Sequence, residues 1–140
     1  MSVSESVSVV LPLPSGHLSP NSPPASFGGR MRKAKLTAAL RNRTRLAVLE
    51  SGITSGPWGL AKVTATFYHR DARRRDPDNY MAMLKGVYDG MRDAGLLVDD
   101  DAKHLIRGEP TFAVDRRAPR VELIVMRLDS GRASATRRRA

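Results

Sequence analysis

Residues 60–94 constrain the fold more than any other part of the sequence, because two different periodicities follow one another there. Residues 60–69 (LAKVTATFYH) alternate between apolar and polar side chains, which predicts a half-buried strand. Residues 78–94 then carry apolar side chains at helical spacing, and Gly95 follows where a glycine commonly ends a helix. A chain that contains both patterns side by side belongs to a class that mixes strands with helices.

Four further patterns complete the order of elements. They are a strand at Val7–Leu11, a helix at Arg32–Glu50, a strand at Lys103–Val114 and a strand at Arg120–Leu128. The last two flank an Arg-Arg-Ala-Pro turn, so we expect them to pair with each other as antiparallel neighbours. The resulting order, β-α-β-α-β-β, predicts an α/β (α+β) fold, a small mixed four-stranded sheet with two helices.

Two segments are expected to lack regular structure. Residues 12–29 are so rich in Pro, Ser and Gly that they predict a long loop. Residues 129–140 form a basic tail that we expect to be disordered. The chain of 140 residues has the length of one domain, which we assign to residues 1–128.

Charge is distributed unevenly along the chain. The net charge is +10, but residues 76–101 hold 7 acidic and only 2 basic side chains. The basic excess lies on both sides of that segment, and the overall balance predicts a polyanionic partner, most economically nucleic acid. Cysteine is absent, which excludes a disulfide framework and a Cys nucleophile. We therefore expect a cytoplasmic protein. No apolar run approaches the roughly 20 residues that span a bilayer, so we expect no membrane span, and we also expect no small-molecule cofactor.

The acidic segment carries two groups of carboxylates. Asp76 and Asp78 lie on either side of Pro77, and Asp99–Asp101 follow beyond the other end of the predicted helix. Carboxylate oxygens are ligands that Mg²⁺ and Mn²⁺ prefer. The two groups can meet at one ion only if the chain turns back after the helix, which this interpretation assumes.

A lysine is placed on the same helix. Asp78, Lys85 and Asp89 fall within about 20° of a common face at 100° per residue. The helix is apolar on most sides, so we expect Lys85 to be partly buried near carboxylates. A lysine in that position can hold a phosphate or stabilise a developing anion.

Each feature also has a purely structural interpretation. Asp76 before Pro77 is typical of a helix N-cap, and Asp78 suits the first turn. Lys85 and Asp89 can form an ordinary ion pair four residues apart. Asp99–Asp101 can be a solvated turn, or local arginines can neutralise the whole segment.

Taken together, these residues resemble the RusA family of Holliday-junction resolvases, small Mg²⁺-dependent endonucleases common in phages and prophages. The resemblance rests on RDPDN at 75–79, KGVYDG at 85–90, DAG at 93–95 and DDDAKH at 99–104. Further support comes from LPLP at 11–14 and LSPN at 18–21. The likeness covers about residues 7–128.

The resemblance implies roles for individual residues. The catalytic set would be Asp76, Asp78, Lys85 and Asp100, and one or two Mg²⁺ (or Mn²⁺) ions would be held by Asp76, Asp78 and Asp100, with Asp99 as the alternative to Asp100. Contacts to DNA would come from Arg73, Arg74, Arg75 and Asn21. The family works as a homodimer on branched DNA.

The function expected from the sequence is therefore Mg²⁺-dependent, structure-selective cleavage of four-way DNA junctions by paired symmetric nicks, in recombination and repair. A bacterial host cytoplasm and a phage or prophage origin fit this expectation. Two alternatives stay open. One is a basic nucleic-acid-binding protein without catalysis, and the other is a RusA-like nuclease that acts on other branched DNA.

Overall fold

The computed structural model describes residues 5–19 and 26–129. In chain order, the elements are β1 (Ser6–Leu11), a 3₁₀ turn (Gly16–Leu18), α1 (Phe27–Glu50), β2 (Ala61–His69), α2 (Pro77–Met83), α3 (Lys85–Asp93), β3 (Leu105–Arg107), β4 (Thr111–Val114) and β5 (Arg120–Arg127). The predicted mixed α+β fold in one domain is confirmed. Its second helix is interrupted at Leu84, which has φ −90° and ψ 9° and separates α2 from α3.

The sheet is mixed and has five strands in the described part of the chain. β5 lies between β1 and β2 and pairs antiparallel with both, while β3 and β4 follow one another along the opposite edge of β2, parallel to it. The strand predicted at Lys103–Val114 is divided because its register against β2 shifts by one residue between Arg107 and Thr111, and Pro110 in that stretch has no N–H to donate.

The expected pairing of the last two strands with each other is wrong, since β2 lies between β4 and β5. β5 instead aligns eight residues with β2 and six with β1. This register brings the apolar positions of all three strands onto one face. Burial therefore decides the pairing, and the short turn between β4 and β5 does not.

The core lies on the helix-bearing face of the sheet. Alternate residues of β1 and β2 are buried, in agreement with the predicted alternation. The opposite face leaves Val10, Ile124 and Met126 exposed. Among the largest fully buried side chains are Trp58, Phe67, Leu84, Val87, Met91 and Leu123.

The first helix begins earlier than the sequence predicts. Ser26 caps it by accepting a hydrogen bond from the Gly29 N–H (3.1 Å), so α1 starts at Phe27 and the predicted loop at 12–29 is shorter and contains a 3₁₀ turn. Only Leu40, Thr44 and Val48 of α1 are buried. Residues 27–39 carry no fully buried side chain, and the basic residues Arg30, Arg32 and Lys35 in this half of the helix are exposed.

α1 and α3 cross at two glycines. A Cβ atom on Gly86 would stand 2.8 Å from the Thr37 carbonyl oxygen, and one on Gly90 would meet the Arg41 carbonyl even more closely. α3 ends as predicted, with Gly95 at φ +80° just after the last turn.

The C-terminal side of β5 is tied to the sheet by Asp129. Its carboxylate accepts hydrogen bonds from the Gly59 N–H (3.0 Å) and from Arg127 Nε (3.0 Å). The rest of the tail predicted at 129–140 lies outside the described residues. Within residues 5–19 and 26–129, no helix is both long and apolar enough to cross a membrane.

Candidate metal and nucleic-acid site

Asp76 and Asp78 lie at the carboxyl end of β2, where an aromatic cluster holds the start of α2. The ring of Tyr80 stands edge-on to Phe67 (4.9 Å), Phe112 (5.1 Å) and His69 (5.4 Å). These rings come from β2 and β4. The cluster fixes the first turn of α2, and with it the two aspartates, against the end of the sheet.

The two aspartates have the geometry of a capped helix start. Asp76 is the N-cap, and its Oδ1 accepts a hydrogen bond from the Asp78 N–H (3.0 Å). Pro77 occupies the first helical position. The cap occupies only one oxygen of Asp76, and both side chains are exposed.

Asp76 and Asp78 also differ from most acidic side chains in their electrostatic surroundings. No basic nitrogen of the described residues lies within 4.0 Å of either carboxylate. Glu50 and Glu109 share this property, whereas the other ten acidic residues each have a Lys, Arg or His nitrogen within that distance. Two uncompensated carboxylates two residues apart are therefore unusual in this protein.

The second carboxylate group has the opposite surroundings, because arginines neutralise it. Arg92 Nη1 lies 3.2 Å from Asp100 Oδ1 and 3.5 Å from Asp99 Oδ1. Arg107 donates to the Asp100 carbonyl oxygen (2.6 Å), and its guanidinium lies over the ring of Tyr88, 4.4 Å from the centroid. For Asp99 and Asp100 the structure agrees with the interpretation that local arginines neutralise them.

Asp89 belongs to the same group. It is buried, and it lies 3.9 Å from Arg41 Nη1 and 3.8 Å from Arg92 Nη2. Burial, together with the carboxylates of Asp99 and Asp89, raises the pKa of Asp100. The backbone N–H of Asp100 and the Arg92 guanidinium lower the pKa of Asp99. The three aspartates and their arginines form one network, which we call the arginine network.

A single chain does not bring the two carboxylate groups together. Tyr80 packs against His69, near the end of β2. Tyr88 lies under the guanidinium of Arg107, and Arg107 pairs with Val63, which is six residues before His69 in β2. At about 3.3 Å per residue, these two points on β2 are roughly 20 Å apart. In the described ranges, no three His, Cys, Asp or Glu side chains form a group able to hold a metal ion.

The chain does turn back after the helix, but toward the other end of β2. Leu97 pairs with Trp58 just before β2 begins, and the Leu96 carbonyl accepts from the Trp58 N–H (2.7 Å). This pairing draws Asp99 and Asp100 to the start of β2. Asp76 and Asp78 stay at its carboxyl end.

The expected surroundings of Lys85 are wrong. Lys85 is exposed, and within the described residues no carboxylate lies within 4.0 Å of its nitrogen. The prediction assumed one continuous helix, but the helix is interrupted at Leu84, between Asp78 and Lys85. Asp89 pairs with Arg41 and Arg92 instead of with Lys85. Lys85 instead lines a cleft of about 180 Å³ between α1 and the α2–α3 junction, which we call the lysine cleft.

The arginines before Asp76 divide into two kinds. Arg75 Nη2 lies 2.9 Å from Asp71 Oδ1, and Arg73 Nη2 lies 3.2 Å from Asp71 Oδ2. These arginines lower the pKa of Asp71. Arg74 is exposed and has no acidic partner within the described part of the chain. Asn21 lies outside the described residues.

Sequence reasoning missed Arg41, Arg92 and Arg107 as partners of the acidic segment. Arg41 binds Asp93 across 52 residues of sequence through both Nε and Nη2, the latter at 2.8 Å. This bidentate pair lowers the pKa of Asp93. Only Arg92 lies inside the acidic segment, three residues after Asp89, a spacing that places both on neighbouring positions of a helix.

No protein-family model matches the chain, and no curated protein matches it either. The resemblance to the RusA family therefore depends on the matching residues between 75 and 104 and on those at 11–14 and 18–21.

Proposed function

We propose that the protein is a Mg²⁺-dependent, structure-selective endodeoxyribonuclease that resolves four-way DNA junctions by paired nicks in recombination and repair. The observation that carries this proposal is the Asp76–Asp78 pair, two exposed carboxylates with no basic nitrogen of the described residues within 4.0 Å. In a chain of net charge +10, such a pair is available to a divalent cation. We place the activity in the cytoplasm of a bacterial cell.

The donor set fits Mg²⁺ or Mn²⁺. One oxygen of Asp76 is used in capping α2, while its second oxygen and both oxygens of Asp78 make no hydrogen bond to the described residues. Oxygen donors of this kind, completed by water and substrate phosphate, are what Mg²⁺ takes in phosphate-processing sites. A bound ion supplies an activated water and a Lewis acid for the scissile phosphate.

The chain's own residues perform the other tasks. Asp76 and Asp78 hold the ion at the fixed start of α2. Lys85 holds a phosphate of the bound DNA strand near the pair. Arg74, which is free of acidic partners in the described residues, contacts the DNA backbone beside the pair.

Asp100, with Asp99 as the alternative, is the third carboxylate of the proposed ligand set. Asp100 lies beside the start of β2, whereas Asp76 and Asp78 lie at its carboxyl end, so in this proposal Asp100 reaches them from a second copy of the chain. The assignment of Asp100 as a metal ligand therefore requires that the protein forms a homodimer. A two-fold dimer would also place two sites on opposed strands of a four-way junction.

The proposal is tested by Asp78→Asn, assayed on a labelled immobile four-way junction in Mg²⁺. We expect cleavage to fall at least about 100-fold, because the loss of a direct ligand costs no less than the loss of a supporting residue. Binding of the junction should persist. The matched control is Glu109→Gln, which neutralises another exposed acid with no basic nitrogen of the described residues within 4.0 Å. Wild-type cleavage by Asp78→Asn would contradict the metal assignment.

A second candidate is a basic nucleic-acid-binding protein without catalysis. The arginine network favours it, since Arg92 and Arg107 already neutralise Asp99 and Asp100. Such a protein would bind DNA equally well with Mg²⁺ and with EDTA and would cut it in neither.

A further inference from the structure

We infer that Lys33 and Lys85 together form a subsite for one backbone phosphate of DNA in the lysine cleft. The nature of the ligand rests on the proposed function. The subsite itself rests on the shape and charge of the cleft. Lys33 belongs neither to the proposed metal ligands nor to the catalytic residues and DNA contacts expected from the sequence.

The lysine cleft has rigid walls. It is lined by two lysines, by Thr37 and Gly86, and by an apolar group consisting of Leu18, Leu40, Ala82 and Met83. α1 and α3 meet at the Gly86–Thr37 contact, where a Cβ atom would stand 2.8 Å from the Thr37 carbonyl oxygen. Because the two helices are locked at this point, the positions from which Lys33 and Lys85 project are also fixed.

The charges of the cleft are uncompensated. Neither lysine has a carboxylate within 4.0 Å among the described residues. The Thr37 hydroxyl is committed to the Lys33 carbonyl oxygen (2.9 Å) and provides no negative charge. Both lysines therefore offer their positive charge to an anion that enters the cleft.

The size of the cleft suits a phosphate group. Its volume of about 180 Å³ equals that of roughly six water molecules in the liquid. The apolar walls lower the local dielectric and so strengthen the attraction of each ammonium for an anion. A lysine acts on phosphate as a point charge, so two of them can hold it without the geometry that arginine needs.

The position of the cleft favours a phosphate of the DNA backbone. Lys85 follows Asp78 by seven residues, about 10 Å at the helical rise. Backbone phosphates succeed one another every 3.4 Å of rise along a strand. A strand that passes Asp76 and Asp78 would therefore bring a phosphate to the cleft within a few nucleotides.

The first test measures binding of an immobile four-way junction in EDTA, where no cleavage complicates the result. We expect Lys33→Gln to weaken binding about 10-fold and to lower the slope of log affinity against log salt by about 1. The matched control is Lys35→Gln, the same charge change at an exposed position of α1 that does not line the cleft, and it should change binding less than 2-fold.

A double-mutant cycle makes this test specific. If Lys33 and Lys85 share one phosphate, Lys33→Gln and Lys85→Gln together should weaken binding by much less than the product of the two single effects. Lys35→Gln and Lys85→Gln should combine multiplicatively. Equal effects of Lys33→Gln and Lys35→Gln, with no coupling to Lys85, would overturn the subsite.

The second test uses inorganic phosphate and does not depend on nuclease function. At constant ionic strength, phosphate should shift the amide resonances of Thr37 and Gly86 in the wild type and not in Lys33→Gln. Shifts without any effect of Lys33→Gln on junction binding would overturn the assignment to DNA and leave a site for free phosphate. No shifts would overturn the subsite, while the Asp78→Asn assay would still decide the proposed function.

Discussion

His69 lies at the end of β2 among aromatic rings, two strand positions from Phe67. Its Nε2 atom is buried and has no hydrogen-bond partner in the described structure. Burial lowers the pKa of His69, and the nearby Arg75 lowers it further. The neutral imidazole is therefore the form that packs beside Tyr80 and Phe112.

The sign of the resulting pH dependence follows from the lowered pKa. Below the ordinary pKa of 6.5, the unfolded chain binds a proton that the folded chain binds less readily, so stability falls as the pH decreases. Between pH 7.5 and pH 5.5, the wild type should lose more of its free energy of unfolding than His69→Phe, which keeps a ring and cannot titrate. Urea unfolding at both pH values measures this, and identical losses would show that His69 does not contribute.

Residue-level prediction succeeded where the signal is local. Asp76, Pro77 and Gly95 act at the helix ends as their types predict. Lys85 was predicted from an uninterrupted helix, and the break at Leu84 changed its surroundings. The Arg41–Asp93 pair spans 52 residues, and no local pattern reveals a contact of that range.

At the scale of elements, the hydrophobic period predicted the long strands and the presence of the helices. β1 and β2 show the predicted alternation of buried and exposed residues. The period did not reveal which strands are neighbours, because pairing depends on how three separate apolar faces join in one core. The hydrophobic period also did not predict that α1 includes residues 27–31, which follow the N-cap at Ser26.

α1 and α3 pack closely where they cross, at Gly86 and Gly90. Gly90→Ala should destabilise the protein by about 1–3 kcal/mol, because its Cβ would meet the Arg41 carbonyl and the Thr44 side chain. Gly28→Ala is the matched control in an exposed turn of α1, where alanine adds up to about 1 kcal/mol of helix stability. Chemical denaturation of both variants measures the difference. Equal stabilities would contradict the close packing.

At the scale of the whole molecule, the two carboxylate groups at opposite ends of β2 make the proposed site depend on two copies of the chain. Asp78→Asn and Asp100→Asn should each abolish junction cleavage alone. A refolded mixture of the two should regain nicking on one strand, because half of the sites in a mixed dimer contain neither substitution.

The mixing experiment separates this arrangement from a site within one chain. If Asp76, Asp78 and Asp100 acted together in one chain, every site of a mixed dimer would carry a substitution. The mixture would then stay inactive. An affinity tag on one variant, used to capture the untagged other variant from the same sample, shows whether mixed dimers have formed.

The central claim, that this basic protein uses Mg²⁺ to cut branched DNA, is tested most directly by one cleavage assay. A labelled immobile four-way junction and a linear duplex of the same sequence are each incubated with the wild type, in Mg²⁺ and in EDTA. We predict symmetric nicks on the junction alone and only with Mg²⁺. Cutting of both substrates would remove the selectivity for branched DNA. Tight binding without cleavage in either condition would contradict the claim and favour a nucleic-acid-binding protein.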